Sequence, residues 1–263
     1  MVSTFVALGD SFTEGLNDPG PGGGYRGWAD RLAEMLAARN GGLGYANLAV
    51  RGKMLGEVAG GQLPAALAMA PDLVSIAAGG NDLLRPGADP DKLAEVFESA
   101  VTQLRGAGCQ VLMLTGFDPR TFPVIRWIRG KVAVYNMHLR AIADRQGCLV
   151  VDLWSMPVLC DPRVWSDDRL HLAAEGHRRV ALRACETLGL SAVPGLAGAD
   201  WREPLPALNG SAGPVPAGWL AARRVDARWA REHAAPWVRR RIRGTSSGDG
   251  REPKRPELLP LEC

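Results

Sequence analysis

The sequence predicts an α/β protein built on a parallel sheet with helices on both faces. Three observations carry that prediction. Short apolar runs rich in strand formers alternate with longer segments of helical periodicity, the order that a wound parallel sheet requires. The runs are apolar almost throughout instead of every second residue, which suits strands buried on both sides. Three of them stop at a glycine, so the chain turns sharply and delivers polar residues beyond the carboxyl end of the strand, where ligands bind in open α/β sheets.

The first strand is Phe5-Val6-Ala7-Leu8, closed by Gly9-Asp10-Ser11. A Gly/Pro-rich loop (Asn17 to Gly24) leads to a helix from about Tyr25 to Arg39, with Trp28, Leu32, Met35 and Leu36 at helical spacing and Asn40-Gly41-Gly42 to end it. Tyr45 to Val50 reads as the second strand, stopping at Arg51-Gly52; a helical segment then runs to about Ala70. Asp72 to Ala77 is the third strand, closed by Gly79-Gly80-Asn81-Asp82. Asp89-Pro90 opens a helix that reaches about Arg105, with proline at its first position. Gln110 to Thr115 and Cys148 to Asp152 are the fourth and fifth strands, joined through a helix from about Lys131 to Arg145. A long loop past Trp165 leads to a last helix, Ala174 to Leu188.

The rest of the chain has a different composition. Ser191 to Gly218 is rich in Pro, Gly and Ala, Trp219 to Arg243 is an Arg/Trp/Ala segment with helical periodicity, and Gly244 to Cys263 reads as a polar, proline-rich extended tail. From Trp201 onward there are 12 Lys+Arg against 7 Asp+Glu, leaving 19 against 21 before it, so the body is mildly acidic and the tail basic. A net charge of +3 over 263 residues gives no reason to expect nucleic acid. Nowhere do 18 apolar residues run together, so no membrane span is expected. Five cysteines without a C-x-x-C pair, and no signal-like leader, suggest a reduced, cytoplasmic setting. Four of the eight tryptophans fall in the last quarter, which predicts that this quarter packs on the body.

Four blocks sit at strand ends or just before a helix: Gly9-Asp10-Ser11, Arg51-Gly52, Gly80-Asn81-Asp82 and Asp168-Arg169-Leu170-His171. On one rim of a parallel sheet they would supply the parts of an acyl-transfer site. Serine is a weak nucleophile until a base takes its proton, and His171 has the imidazole for that role. Asp168, three residues earlier on the same loop, can hold the other ring nitrogen. The N–H groups of Ser11 and Gly52 and the amide of Asn81 are the natural donors for an oxyanion. Asp10, Arg51 and Trp165 flank the set as candidate substrate contacts, and Arg26 with Arg51 would suit an anionic one. For Trp165 the competing role is core packing.

These blocks resemble the GDSL esterase/lipase family, the SGNH hydrolases, whose signature serine, glycine, asparagine and histidine map to Ser11, Gly52, Asn81 and His171, with Asp168 as the family's aspartate. The resemblance covers roughly residues 4 to 190. It implies a three-layer, flavodoxin-like sandwich of about five parallel strands (domain 1–190), with residues 191–263 as a helical and extended appendage packed on it. It also implies hydrolysis of esters or thioesters through an acyl-enzyme, with no metal and no cofactor. The expected substrate is a small ester with a short, acetyl-like acyl group, and the expected state a monomer or small homo-oligomer. Two departures stand out: Phe12 replaces the leucine of the family's first block, and Arg51 sits beside Gly52. An acyltransferase with the same triad, a non-catalytic binding module and a nucleotide binder are the rival readings. G-x-S-x-G is absent at Ser11, which argues against an ordinary α/β-hydrolase. Gly22 to Gly27 spells G-x-G-x-x-G, but too far downstream of the strand for a dinucleotide site. His138, His177 and His233 read as structural, and Cys160 and Cys185 as packed thiols.

Overall fold

The computed structural model describes residues 2–21, 23–123, 125–190, 199–206, 245–261 and isolated positions between 228 and 239. Most of the expected linker (191–218) and of the basic Arg/Trp segment (219–243) lies outside the described residues.

Six strands form one sheet in the order β5-β4-β3-β1-β2-β6. They are β1 (Thr4–Gly9), β2 (Leu43–Asn47), β3 (Leu73–Ala77), β4 (Gln110–Leu114), β5 (Leu149–Val151) and β6 (Arg255–Leu261). The first five are parallel, with Val6 in register with Ala46 on one side and Val74 on the other. Phe5, Val6, Ala7 and Leu8 are wholly buried, as the unbroken apolar run requires.

The helices follow the expected places within a few residues. A single turn, α1 (Ser11–Glu14), leaves β1; α2 (Trp28–Asn40) returns to β2; and α3 (Leu55–Glu57), a π-helical turn (Val58–Gln62) and α4 (Leu63–Ala68) cross to β3. Then come α5 (Gly80–Leu83), α6 (Pro90–Gly106), α7 (Arg129–Gln146) and α8 (Ala174–Thr187). α2 packs beside α8, and α6 beside α7. Because the chain leaves β1 toward β2 and then crosses back to β3, its direction of winding reverses at β1. The crevice beyond β1 and β3 is therefore the place where a doubly wound sheet binds ligands.

Two expectations change. The second strand ends at Asn47 instead of Val50, since Leu48 to Val50 already bend toward the rim, with their N–H groups reaching Ala7 O and Gly9 O. The polar tail is also not merely extended: β6 pairs antiparallel with β2, from Leu43 opposite Leu261 to Asn47 opposite Arg255. Pro256 and Pro260 lack N–H donors, which confines such a segment to a sheet edge. A short apolar run, Leu258-Leu259, sits between them, too brief against its prolines to register as a strand by pattern.

Lys254 anchors the start of this edge strand. Its ammonium donates to Glu14 O (2.6 Å), Tyr25 O (3.0 Å) and Asp30 Oδ2 (2.6 Å), with the side chain only 21% exposed. Charged hydrogen bonds of this kind contribute roughly 1–3 kcal/mol. Lys254→Met is accordingly expected to lower the urea-unfolding free energy by about that amount; a change within experimental error would show that β6 holds without the anchor.

Candidate active site

Gly9 ends β1 at φ +153°, and a side chain there would meet Ala77 O at 2.5 Å and Thr13 Oγ1 at 2.7 Å. The turn that only glycine permits places Asp10 and Ser11 on the rim. Asp10 caps α1, its Oδ1 accepting the Phe12 N–H at 3.0 Å, and its Oδ2 accepts Asn81 Nδ2 at 3.1 Å. Lys53 O accepts the same amide nitrogen at 3.0 Å. The end of β1, the loop after β2 and the start of α5 are thus tied at one point.

His171 comes from the loop before α8. Its Nε2 lies 2.9 Å from Ser11 Oγ and its Nδ1 2.6 Å from Asp168 Oδ2. A carboxylate can only accept, so Nδ1 carries the proton and Nε2 presents a lone pair to the serine hydroxyl. Asp168 is densely served. Oδ1 accepts from Ser166 Oγ (2.7 Å) and from the N–H groups of Leu170 and His171 (2.9 and 3.0 Å), while Oδ2 also accepts from Asn17 Nδ2 (2.8 Å). Burial alone would raise its pKa, but the hydrogen bond and charge of His171 with these backbone donors hold it well below the usual carboxylate range.

Asn17 and Ser166 are the site residues that sequence reasoning missed. Asn17 adopts φ +71°, a left-handed conformation that asparagine tolerates, and this turns its amide toward Asp168. An Asn-Asp pair in a glycine-rich loop reads only as a turn, and nothing in it signals a carboxylate 151 residues away.

The structure brings Ser11, Gly52, Asn81, Asp168 and His171 around one polar cavity. Gly52 has φ +76°, and neither its N–H nor that of Ser11 has a hydrogen-bond partner among the described residues. A second, apolar cavity of about 160 Å³ opens on the other side of Ser11, lined by Phe12, Leu84, Phe117, Ile125, Val132 and Leu153, among others. Both cavities share Ser11, Asn81, Leu170 and His171.

Of the flanking candidates, Asp10 lines the apolar cavity and Arg51 the polar one, each held by partners of its own. The Arg51 guanidinium is turned into an ion pair with Glu14, whose Oε2 also accepts the Arg51 N–H at 2.7 Å. Trp165 lines neither cavity; its indole N–H donates to Leu159 O at 2.9 Å and its ring packs 4.5 Å from that of Phe117. Arg26 pairs with Glu34 at the surface. His177 is buried, with Nδ1 accepting the Trp28 N–H at 3.2 Å, and burial pushes its pKa down to about 3. Asp82 accepts the Leu55 N–H at 2.9 Å, at the start of α3.

Asp10 offers a pH test. Burial is the largest influence on it and pushes its pKa up to about 6, against 3.8 when free. Between those values the native state holds a proton that the unfolded chain has released, so stability falls as pH rises from about 4 to about 6. The loss approaches about 3 kcal/mol, two pKa units at 1.36 kcal/mol each. The stability difference between wild type and Asp10→Asn should therefore shift against wild type across that window in urea titrations at several pH values. A pH-independent difference would refute the assignment.

Comparison with known proteins agrees with this architecture. Residues 7–179 match the GDSL-like Lipase/Acylhydrolase family. Among solved structures, the chain is similar to TesA (26% identity, TM-score 0.58, 70% of this chain and 97% of that one). It is also similar to LAE5, an alpha/beta hydrolase from the metagenome of Lake Arreo, Spain (22%, 0.61, 72% and 95%). A third is Axe2, an acetyl xylan esterase from Geobacillus stearothermophilus (20%, 0.61, 73% and 96%). Among curated proteins no relative matches. No helix among the described residues is long and apolar enough to cross a membrane. With the family match spanning most of the sheet and all four signature blocks, the chain belongs to the GDSL-like lipase/acylhydrolase family of ester-hydrolysing enzymes.

Proposed function

We propose that this protein hydrolyses carboxylic esters through an acyl-enzyme on Ser11, and that its acyl group is a medium-length chain. The carrying observation is the file Ser11–His171–Asp168 set between an apolar and a polar cavity. Ser11 Oγ attacks the acyl carbonyl while His171 Nε2 takes its proton, and the imidazolium formed is stabilised by Asp168. The oxyanion is held by the N–H groups of Ser11 and Gly52. Asn81 adds a third donor: the hydrogen it aims at Asp10 Oδ2, at 3.1 Å, is the one the oxyanion takes over. His171 then returns the proton to the departing alkoxide, and water repeats the sequence to release the acid.

The acyl length follows from the apolar cavity. That cavity, about 160 Å³ and lined mostly by apolar side chains, has room for more than a methyl group beyond the carbonyl carbon. An acetyl group would leave most of it empty, and each further buried methylene contributes about 0.8 kcal/mol. On this ground a chain of intermediate length is proposed in preference to the acetyl-like acyl group, which is the alternative the ester series decides.

Ser11→Ala is expected to abolish turnover of p-nitrophenyl octanoate, and wild-type kcat/KM to rise from acetate to octanoate. A Ser11→Ala enzyme with full activity would exclude the mechanism, whereas a maximum at acetate would exclude only the acyl assignment. Asn81→Ala should lower kcat by roughly 10²–10³ with a smaller change in KM, as loss of an oxyanion donor does; an effect confined to KM would remove Asn81 from that role.

A further inference from the structure

The polar cavity beside Ser11 has a wall that the family's common domain does not supply. Residues 245–261 lie beyond the matched stretch, which ends at 179. Ahead of β6 the chain makes a compact turn: the Ser246 N–H donates to Asp249 Oδ2 (2.7 Å), the Gly248 N–H to Ser246 Oγ (3.1 Å) and the Arg251 N–H to Gly248 O (3.1 Å). Its backbone lies directly on the loop that carries Gly52. A side-chain carbon on Gly248 would fall 1.9 Å from Arg51 O, so only glycine allows the approach. In return, a carbon on Gly52 would fall 2.0 Å from Ser246 Oγ and 3.7 Å from Ser247 Oγ. Two hydroxyls thus stand against the glycine assigned to the oxyanion, on the side of Ser11 away from the acyl cavity, and Ser246, Ser247 and Asp249 all line the polar one.

Carboxylates outnumber cations on the lining of this cavity: Glu57, Asp168 and Asp249 stand against Arg51 and Arg85, and Arg51 is already paired with Glu14. The strap adds to this lining hydroxyl donors and acceptors and one more carboxylate, and no cation, which suits a neutral hydroxylated group better than a phosphate. We propose that this C-terminal strap is part of the active site, and that Ser246 and Ser247 select esters whose alcohol is a neutral polyol. Asp249 shapes the turn that presents them. The inference rests on the catalytic reading above, which places the departing alcohol in this cavity.

The test compares 1-octanoylglycerol and 6-octanoylglucose with propyl octanoate, so that the acyl group stays constant and the alcohol gains or loses hydroxyls. Wild type is expected to show higher kcat/KM on the polyol esters. Ser247→Ala, whose hydroxyl makes no bond within the turn, and Ser246→Ala should each lower the polyol-to-propyl ratio by roughly tenfold, the worth of about one hydrogen bond. The loss should lie mainly in KM, and Ser246→Thr should restore the ratio. A wild type without polyol preference, or variants that slow all three esters alike, would overturn the proposal, the second outcome showing a strap that merely braces the fold. Wild type inactive on propyl octanoate and p-nitrophenyl octanoate alike would instead sink the catalytic reading, and this inference with it.

Discussion

The site depends on how β1 is stopped. Gly9 has no room for a side chain, and its peptide groups are clamped by one amide: Gln62 Oε1 accepts the Gly9 N–H and Gln62 Nε2 donates to Gly9 O, both at 2.8 Å. Gln62 is buried and closes the π-helical turn between α3 and α4, an irregularity that often marks functional sites. A paired amide in a buried setting satisfies both backbone groups where the strand's own ladder ends. The direction in which Asp10 and Ser11 leave the sheet is set there. Ser11 can meet a histidine 160 residues away only because that direction does not wander.

Two carboxylates on the same rim meet opposite fates, and donor count separates them. Asp168 receives hydrogen bonds from five donors, three of them side chains (Asn17, Ser166 and His171), and stays ionised despite its burial. Asp10, among the most buried acids in the chain, receives one backbone and one side-chain donor, and burial prevails. Environments that push two acids apart allow one site to hold a fixed negative charge beside a group that changes protonation near neutrality. Glu14 follows a third course: an arginine from the neighbouring loop neutralises it, and in doing so it ties α1 to the loop of Gly52.

A parallel sheet leaves edges that invite wrong pairing. Here β2, an edge of the parallel part of the sheet, is covered by β6, whose prolines blunt the new edge in turn. Arg255 reinforces the pairing by donating to Tyr45 O at 2.7 Å while lying over the Tyr45 ring. The same run of chain that closes this edge brings the turn at Ser246 to Gly248 against Gly52, so edge protection and shaping of the polar cavity have one structural source.

What the residues determined by themselves was local or periodic. Apolar runs of strand length, helices ended by Gly41 and Gly147, and short blocks at strand ends are all properties of neighbours in the chain, and they were enough for the layered architecture and for gathering Ser11, Gly52, Asn81, Asp168 and His171. Tertiary structure decided whatever depends on distant partners. Arg51 and Trp165 carry the right chemistry for substrate contact, yet Glu14 holds one and the Phe117 and Phe122 rings pack around the other. Asn17, Ser166 and Gln62 look like ordinary polar loop and helix residues until folding sets them beside Asp168 and Gly9. The tail at Arg255–Leu261 becomes a strand only because β2 offers it an unpaired edge: backbone hydrogen bonding needs a partner, and no pattern within seven residues can name one that lies two hundred residues earlier.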